Sequence, residues 1–484
     1  MNRGRLALFA VVALIVLSGC TLPSTPDGFD TDRELGHVGH YAHDDVFEFD
    51  DNESLTEDQL EAVKYRSMAR IEVVRGLKFH HDVTLETITR TEYRSQRGQP
   101  GSASPFANEL WRGAFIVDGE TDVNRAMNDL YGGSVQGYYT NDRIVIVTDG
   151  ADGLRIDRET LVHELVHALQ DHHFGLERHA TTIDAQRAEI GLTEGEANYI
   201  PQLYDQRCGE EWQCLPDDDR PPADGESGER SFNIGLFLSI YTPYSEGPPF
   251  VAHLRDRGGW AAVDGAYADR PASTSQLIHP ERYPDDRPVD VEIRDRSTDD
   301  WEPVTRNGQP RSETIGEATL FASLWTNGVV ERPIGEGGSE LSPYNYSHPA
   351  TDGWAGDTFR VYHDVDDDSR TGHVWGLAWE SEDDAEAFAE AYRTLLENNG
   401  AEPIDAANDT YRIGDGDAFA GAYRVTVSGE TIKIVGAPAV DDLEDIHGTE
   451  SGSASIERVD AGGSANTADG PSVTGPVTSP APPA

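Results

Sequence analysis

The segment Thr160–Phe174, TLVHELVHALQDHHF, gathers four of the chain's 16 histidines and one glutamate into a single apolar, helix-patterned stretch. His163 and His167 are four residues apart, so on an α-helix they stack one turn above the other on the same face. Two imidazoles so placed can both reach one tetrahedral Zn²⁺ at about 2.0–2.1 Å. Glu164 adjoins the first of them and flanks such a metal without binding it. A carboxylate there can take a proton from a zinc-bound water, whose pKa the metal lowers to about 7. Leu161, Val162, Leu165, Val166 and Leu169 form the apolar side that would hold the helix rigid.

A site of this kind needs a helix with firm ends, packed on a sheet. Asp157 is placed to cap the helix and Gly175 to stop it. Just upstream, VQGYYTNDRIVIVTD (Val135–Asp149) predicts a hairpin: an aromatic strand, a turn at Thr140–Asp142 and the run Ile144–Val147. Earlier, Leu60, Val63, Ala69, Val73 and Leu77 share one helical face. A second helix is expected over Ala185–Leu203, then a Pro/Asp/Gly-rich loop, Asp217–Glu229. SFNIGLFLSIYTPYSEG and FVAHLRDRGGWAAVDGAYA predict two further helices. After Val291 the pattern changes to helix (SETIGEATLFASLW), strands (VWGLAWE, YRVTVSGETIKIVGA) and the amphipathic helix EDDAEAFAEAYRTLLENNG. The expected class is therefore α+β. The divisions are a leader at 1–19, an acidic tether at 20–54, a site-bearing domain at 55–290 and a smaller α+β unit at 291–447. Residues 448–484, rich in Gly, Ser, Thr, Pro and Ala, are expected to be disordered.

Charge narrows the function classes. Asp and Glu number 88 against 38 Lys plus Arg, a net −50, and only Lys64, Lys78 and Lys433 are lysines. Nucleic acid is excluded as a partner, because no basic stripe exists to neutralise phosphates. Eight Trp and 18 Tyr in periodic apolar runs argue against a disordered polyanion. The composition fits a halophile surface, whose self-repulsion is screened where the Debye length falls to about 3 Å.

The chain begins MNRGRLALFAVVALIVLSGC, with Arg3 and Arg5 before an apolar run too short to span a bilayer comfortably. The ending LSGC resembles a prokaryotic lipobox, which implies cleavage before Cys20 and a lipid on its sulfur, with the rest of the chain outside the cytoplasm. Cys208 and Cys214, close together in a loop, then predict a disulfide. Asn52, Asn345 and Asn408 stand in glycosylation sequons. DVDDDSR (Asp364–Arg370) imitates the start of a calcium loop but has Ser369 and Trp375 where the loop needs glycine and glutamate, so it is expected to be a solvated turn. In HPERY, His279 and Tyr283 are candidate oxyanion donors; the competing use is a structural corner with Pro280 setting the turn. His172 either lines the cleft or faces solvent.

HELVHALQDHHF resembles the active-site helix of zincin metallopeptidases. It is more closely similar to a widespread set of prokaryotic predicted peptidases, whose haloarchaeal members are surface lipoproteins. That similarity runs through GYYTNDRIVIV, LTEGEANYI, PYSEG, GGWAAVDGAY, STSQLIHPERY and DGWAGDTFRVY, most of Leu60–Tyr392. Ser275 departs from a glutamate common at that place. The resemblance implies a zincin-like fold, a bound Zn²⁺ and a peptide or protein substrate, and it names no target. In zincins the strand before the helix binds substrate by strand addition; here that is one of the two strands within Gly137–Val147.

The third ligand is open among three residues. A metzincin pattern points to His173, but Gln170 stands where that geometry needs a glycine, and an uninterrupted helix carries His173 about 9 Å along the axis from His167. A gluzincin pattern takes a carboxylate from the next helix, preferring Glu194, with Gly195 and Ala197 small enough for close helix approach. Glu196, about 200° round that helix from Glu194, is the remaining candidate, and Asn198 is placed to orient His163 or His167. The expected function is a membrane-anchored, extracytoplasmic zinc peptidase. Its rivals are a non-catalytic zinc-binding surface protein of the same fold and a zinc hydrolase of non-peptide amides. The charge sets one test: circular dichroism should show loss of structure as salt falls from molar to millimolar, and an unchanged spectrum contradicts the halophile reading.

Overall fold

The computed structural model describes residues 29–48, 55–98, 100–148, 157–215, 232–405, 409–448 and 456–459, with the backbone of a strand at 477–480. Cys20, Asn52, Asn408 and the loop Asp217–Glu229 lie outside the described residues. The chain is α+β.

The first helix, α1 (Glu57–Arg75), opens with a capping box between Thr56 and Gln59 and ends at left-handed Gly76, φ 79°. Three strands follow: β1 (Thr84–Thr89), β2 (Val135–Thr140) and β3 (Arg143–Thr148). β2 and β3 form the predicted hairpin; Asn141 and Asp142 take φ of 48° and 58°, as a two-residue hairpin turn requires. β1 pairs parallel with β3, so β3 lies between β1 and β2.

Helix α2 (Arg158–Phe174) is capped as expected: Asp157 accepts from the Thr160 N–H at 2.7 Å, and the Gly175 N–H closes the last turn on Asp171. Its leucines and valines pack with Val63, Met68 and Ile71 of α1 and Ile144 and Ile146 of β3. Helix α3 (Ile183–Asp205) crosses it and packs in turn on α4 (Ile234–Ala268). Two helices were expected in place of α4, parted near Pro248; the chain instead passes Pro243, Pro248 and Pro249 and breaks at Gly259, φ 66°. Backbone contact with α3 supports this course. A Cβ on Gly195 would lie 2.4 Å from the Gly247 carbonyl carbon, and one on Gly247 would lie 2.3 Å from the Gly191 oxygen.

Beyond residue 300 an antiparallel sheet is built round β4 (Trp354–Asp364), β5 (Thr371–Trp379), β6 (Gly421–Ser428) and β7 (Thr431–Ala437), in the order β4-β5-β7-β6. Helix α5 (Glu317–Thr326) precedes it, and α6 (Glu382–Asn398) packs on β5, β6 and β7. The short helix Pro105–Gly113 sends Phe106, Leu110 and Trp111 into the core shared with Phe359, Trp375 and Tyr423. Residues ahead of the hairpin thus complete the C-terminal core. The acidic turn closes on itself, Asp364 accepting from the N–H groups of Asp366 and Asp367. Among the described residues no helix is long and apolar enough to cross a membrane.

Two expectations are corrected. Residues 29–48 are not a free tether: they lie against α1 with Val38 fully buried. Their anchor is one carboxylate. Glu72, wholly buried, accepts from Arg33 Nη1 at 2.7 Å and Nη2 at 2.5 Å, and from the N–H groups of Gly36 and Phe79. Nor is the tail without structure throughout. Ile456–Val459 pairs antiparallel with Asp290–Ile293, and Val477–Pro480 pairs antiparallel along the outer edge of β2. The disulfide Cys208–Cys214 is formed, and Arg70 binds the Gln213 carbonyl beside it at 3.0 Å. Removing one partner of a buried ion pair costs about 3–5 kcal/mol. Arg33→Ala should lower stability on that scale in chemical denaturation, and an unchanged midpoint would return residues 29–48 to the status of a loose tether.

Candidate metal centre

α2 and α3 bring His163, His167 and Glu194 together, each 5% exposed or less. The histidine Nε2 atoms are 3.0 Å apart, and Glu194 Oε2 lies 3.3 Å from one and 3.4 Å from the other. A tetrahedron with metal–ligand bonds of about 2.05 Å has edges of about 3.3 Å. The three atoms therefore outline one face of a zinc tetrahedron. Glu194 Oε2 makes no directed hydrogen bond, which fits an atom facing a cation.

The electrostatics are those of a tightly coupled buried set. Burial drives the Glu194 carboxyl upward, but the imidazoles of His167 and His163 outweigh it and hold it down at about 2. Burial opposes the charged form of His167, yet Glu194 keeps that ring up at about 9, while burial lowers His163. Glu164 is fully buried with no side-chain hydrogen-bond partner, and burial outweighs the nearby Tyr139 backbone of β2 to raise its carboxyl to about 8. It faces β2: a Cβ on Gly137 would sit 3.4 Å from Glu164 Cγ and 3.1 Å from Thr160 Cγ2. The strand edge, the free carboxylate and the ligand face are thus neighbours.

Other expected site residues are used elsewhere. His173 Nε2 bonds the Lys78 carbonyl at 2.8 Å, so the uninterrupted helix carries it away from the other two histidines. Glu196 pairs with Arg75 and accepts from Tyr267. Asn198 does not orient a histidine; its Nδ2 donates to the Glu194 carbonyl at 2.7 Å, back along its own helix. Gly195 faces α4 and not α2, while Ala197 is the small buried residue in the core with α2. His172 neither lines the cleft nor faces solvent, because its Nε2 is 2.7 Å from Asp142 in the hairpin turn.

The oxyanion expectation also fails. Tyr283 donates to the Asp269 carbonyl at 2.7 Å, and His279 lies 2.8 Å from Glu317 and 3.7 Å from Asp352. His279, Glu317 and Asp352 are themselves close enough to hold an ion. However, Arg282 approaches Glu317 and binds the Asp352 carbonyl, and Glu317 raises the basicity of His279. His279 and Arg282 already engage these carboxylates, which makes this cluster a structural corner.

Two residues beside the ligands had no role assigned from sequence. Tyr244, within PYSEG, donates to Glu194 Oε1 at 3.2 Å, and Gln170 Oε1 lies 2.8 Å from His167 Nδ1. Residues 302–447 match a family model described as a domain of unknown function (DUF8575). That match lies outside the histidine–glutamate site. No curated protein and no solved structure matches the chain.

The geometry separates the three ligand candidates. Glu194→Ala should lose zinc on dialysis, measured by atomic emission, while His173→Ala should keep it. Metal loss confined to the histidine variant would overturn the grouping.

Proposed function

We propose that the chain is a zinc-dependent peptidase of zincin-like, gluzincin type, held outside the cytoplasm by a lipid on Cys20. The observation that carries the reading is the buried ligand face of His163, His167 and Glu194, with the unpartnered Glu164 beside it. His163 and His167 would hold zinc through Nε2 and Glu194 through Oε2. Bound zinc supplies Lewis acidity, polarising a carbonyl oxygen and making water easier to deprotonate.

The chain's own groups do the remainder. Glu164 accepts the proton of the attacking water and passes it to the leaving amine. Tyr244 fixes the carboxylate of Glu194 by its hydrogen bond. The outer edge of β2 would take an extended peptide where Val477–Pro480 leaves it, which favours a peptide over a compact amide. Val477–Pro480 runs along that same edge, so a substrate strand and the chain's own tail compete for it.

A non-catalytic zinc-binding surface protein would need the three ligands but not a free buried carboxylate next to them. Glu164→Gln therefore decides between the readings. It should retain zinc and lose at least about 100-fold in turnover of a peptide library, the scale of general acid–base catalysis. A Glu164→Gln protein as active as the parent would remove that residue from the reaction, and a parent inert on peptides at full zinc loading would favour the binding protein.

A further inference from the structure

A histidine that binds a metal through Nε2 must carry its proton on Nδ1, so whatever faces Nδ1 decides whether the ring is a ligand. At His167 that neighbour is Gln170 Oε1, 2.8 Å away. A glutamine amide can turn over. With its NH₂ group facing Nδ1 it would demand a lone pair there, drive the proton to Nε2 and remove the ligand.

The far end of Gln170 prevents this. Its Nε2 donates to the Thr193 carbonyl at 2.8 Å and to Glu196 Oε2 at 3.2 Å. A carbonyl and a carboxylate only accept, so the reversed amide would set oxygen against oxygen at both. Glu196 is engaged in turn, paired with Arg75 Nε and accepting from the Tyr267 hydroxyl. Arg75 lies over the Trp260 ring, 4.6 Å from its centroid, and reaches Asp264. Gln170, Glu196 and Arg75 are each 2% exposed or less, so water does not readily replace a missing partner.

We propose that Gln170 and Glu196 are positioning residues that set the tautomer of His167: Glu196 orients the Gln170 amide, and the amide presents an acceptor to Nδ1. This rests on the metal-site reading above. It assigns a use to the glutamine that stands where a metzincin helix would turn, and to the glutamate two residues beyond Glu194.

The test uses the full chain in molar salt and two readouts other than turnover: zinc affinity by competition with a chelator, and the visible spectrum of the cobalt-loaded protein. Gln170→Met keeps the length of the side chain and removes both polar ends. It should weaken zinc about 10–100-fold, the range for partners that orient a ligand, and alter the cobalt bands. Glu196→Gln should weaken it too, since an amide at 196 can present its NH₂ to Gln170 and leaves only the Thr193 carbonyl to oppose reversal.

The combined swap Gln170→Glu/Glu196→Gln restores the acceptor at His167 and the donor–acceptor contact between positions 170 and 196, although it sets an oxygen against the Thr193 carbonyl. It should bind zinc more tightly than Gln170→Glu alone, in which two carboxylates face each other, and lost packing cannot produce that gain. Should Gln170→Met fail to fold, this pair decides: a swap that binds zinc more tightly than Gln170→Glu supports the assignment, and one that binds no more tightly overturns it. Wild-type affinity and spectrum in Gln170→Met overturn it as well, provided His163→Ala has lost its metal. Metal retained in His163→Ala would mean that the site reading itself has failed.

Discussion

The structure turns on a meeting of two helices. His163 and His167 are fixed relative to each other by the pitch of α2, but Glu194 comes from α3 and must arrive within about 3.4 Å of both nitrogens. That demand is expensive, because an apposed buried carboxylate and imidazoles are stable only if every remaining lone pair and proton has somewhere to go. Much of the surrounding polar architecture answers it. Tyr244 satisfies the other Glu194 oxygen, Gln170 satisfies the other His167 nitrogen, and the Ala197 backbone hydrogen-bonds the His163 ring.

Tyr244 can do this only because α4 lies in backbone contact with α3. Gly195 and Gly247 remove the side chains that would separate the helices, and a Cβ on either would meet the backbone of the other helix. A close helix pair of this sort is stiff, since any sliding must disturb packed main chain. The same contact helps to keep α4 continuous past Pro248 and Pro249, where proline chemistry alone would break it. On the other side α2 rests on the β2–β3 hairpin, and Gly137 brings the β2 backbone against Glu164. Glu164 thus stays unpartnered between a strand edge and the ligand face.

What the sequence made legible was local. The 3.6-residue period, Asp157, Gly175 and the Asn141–Asp142 turn defined α2 and its hairpin, because caps and turns depend on neighbouring residues. Cys208 and Cys214 were legible for the same reason. Partners separated by long stretches of chain were not. The ordered segment at 29–48 has little apolar periodicity, and its anchor is the ion pair between Arg33 and Glu72. Strand β1, TLETIT, carries alternation too weak to stand out and owes its place to parallel pairing with β3. The three candidate third ligands could not be separated by spacing alone. The structure separates them by where each side chain is engaged: Glu194 beside the histidines, Glu196 on Arg75, His173 on the Lys78 carbonyl. The two uses of His279 stayed open because a histidine beside a proline corner looks the same whether it faces a substrate or a pair of carboxylates; the structure has the corner.

If His163, His167 and Glu194 hold a zinc ion, the metal sees two imidazoles and one carboxylate. X-ray absorption at the zinc K edge, on the full chain purified in molar salt, reads that ligand set. One tightly bound zinc is expected, with two imidazole nitrogens at about 2.0–2.1 Å and the remaining ligands oxygens at about 2.0–2.2 Å. Three imidazoles, a sulfur ligand at about 2.3 Å, or no zinc retained would contradict it.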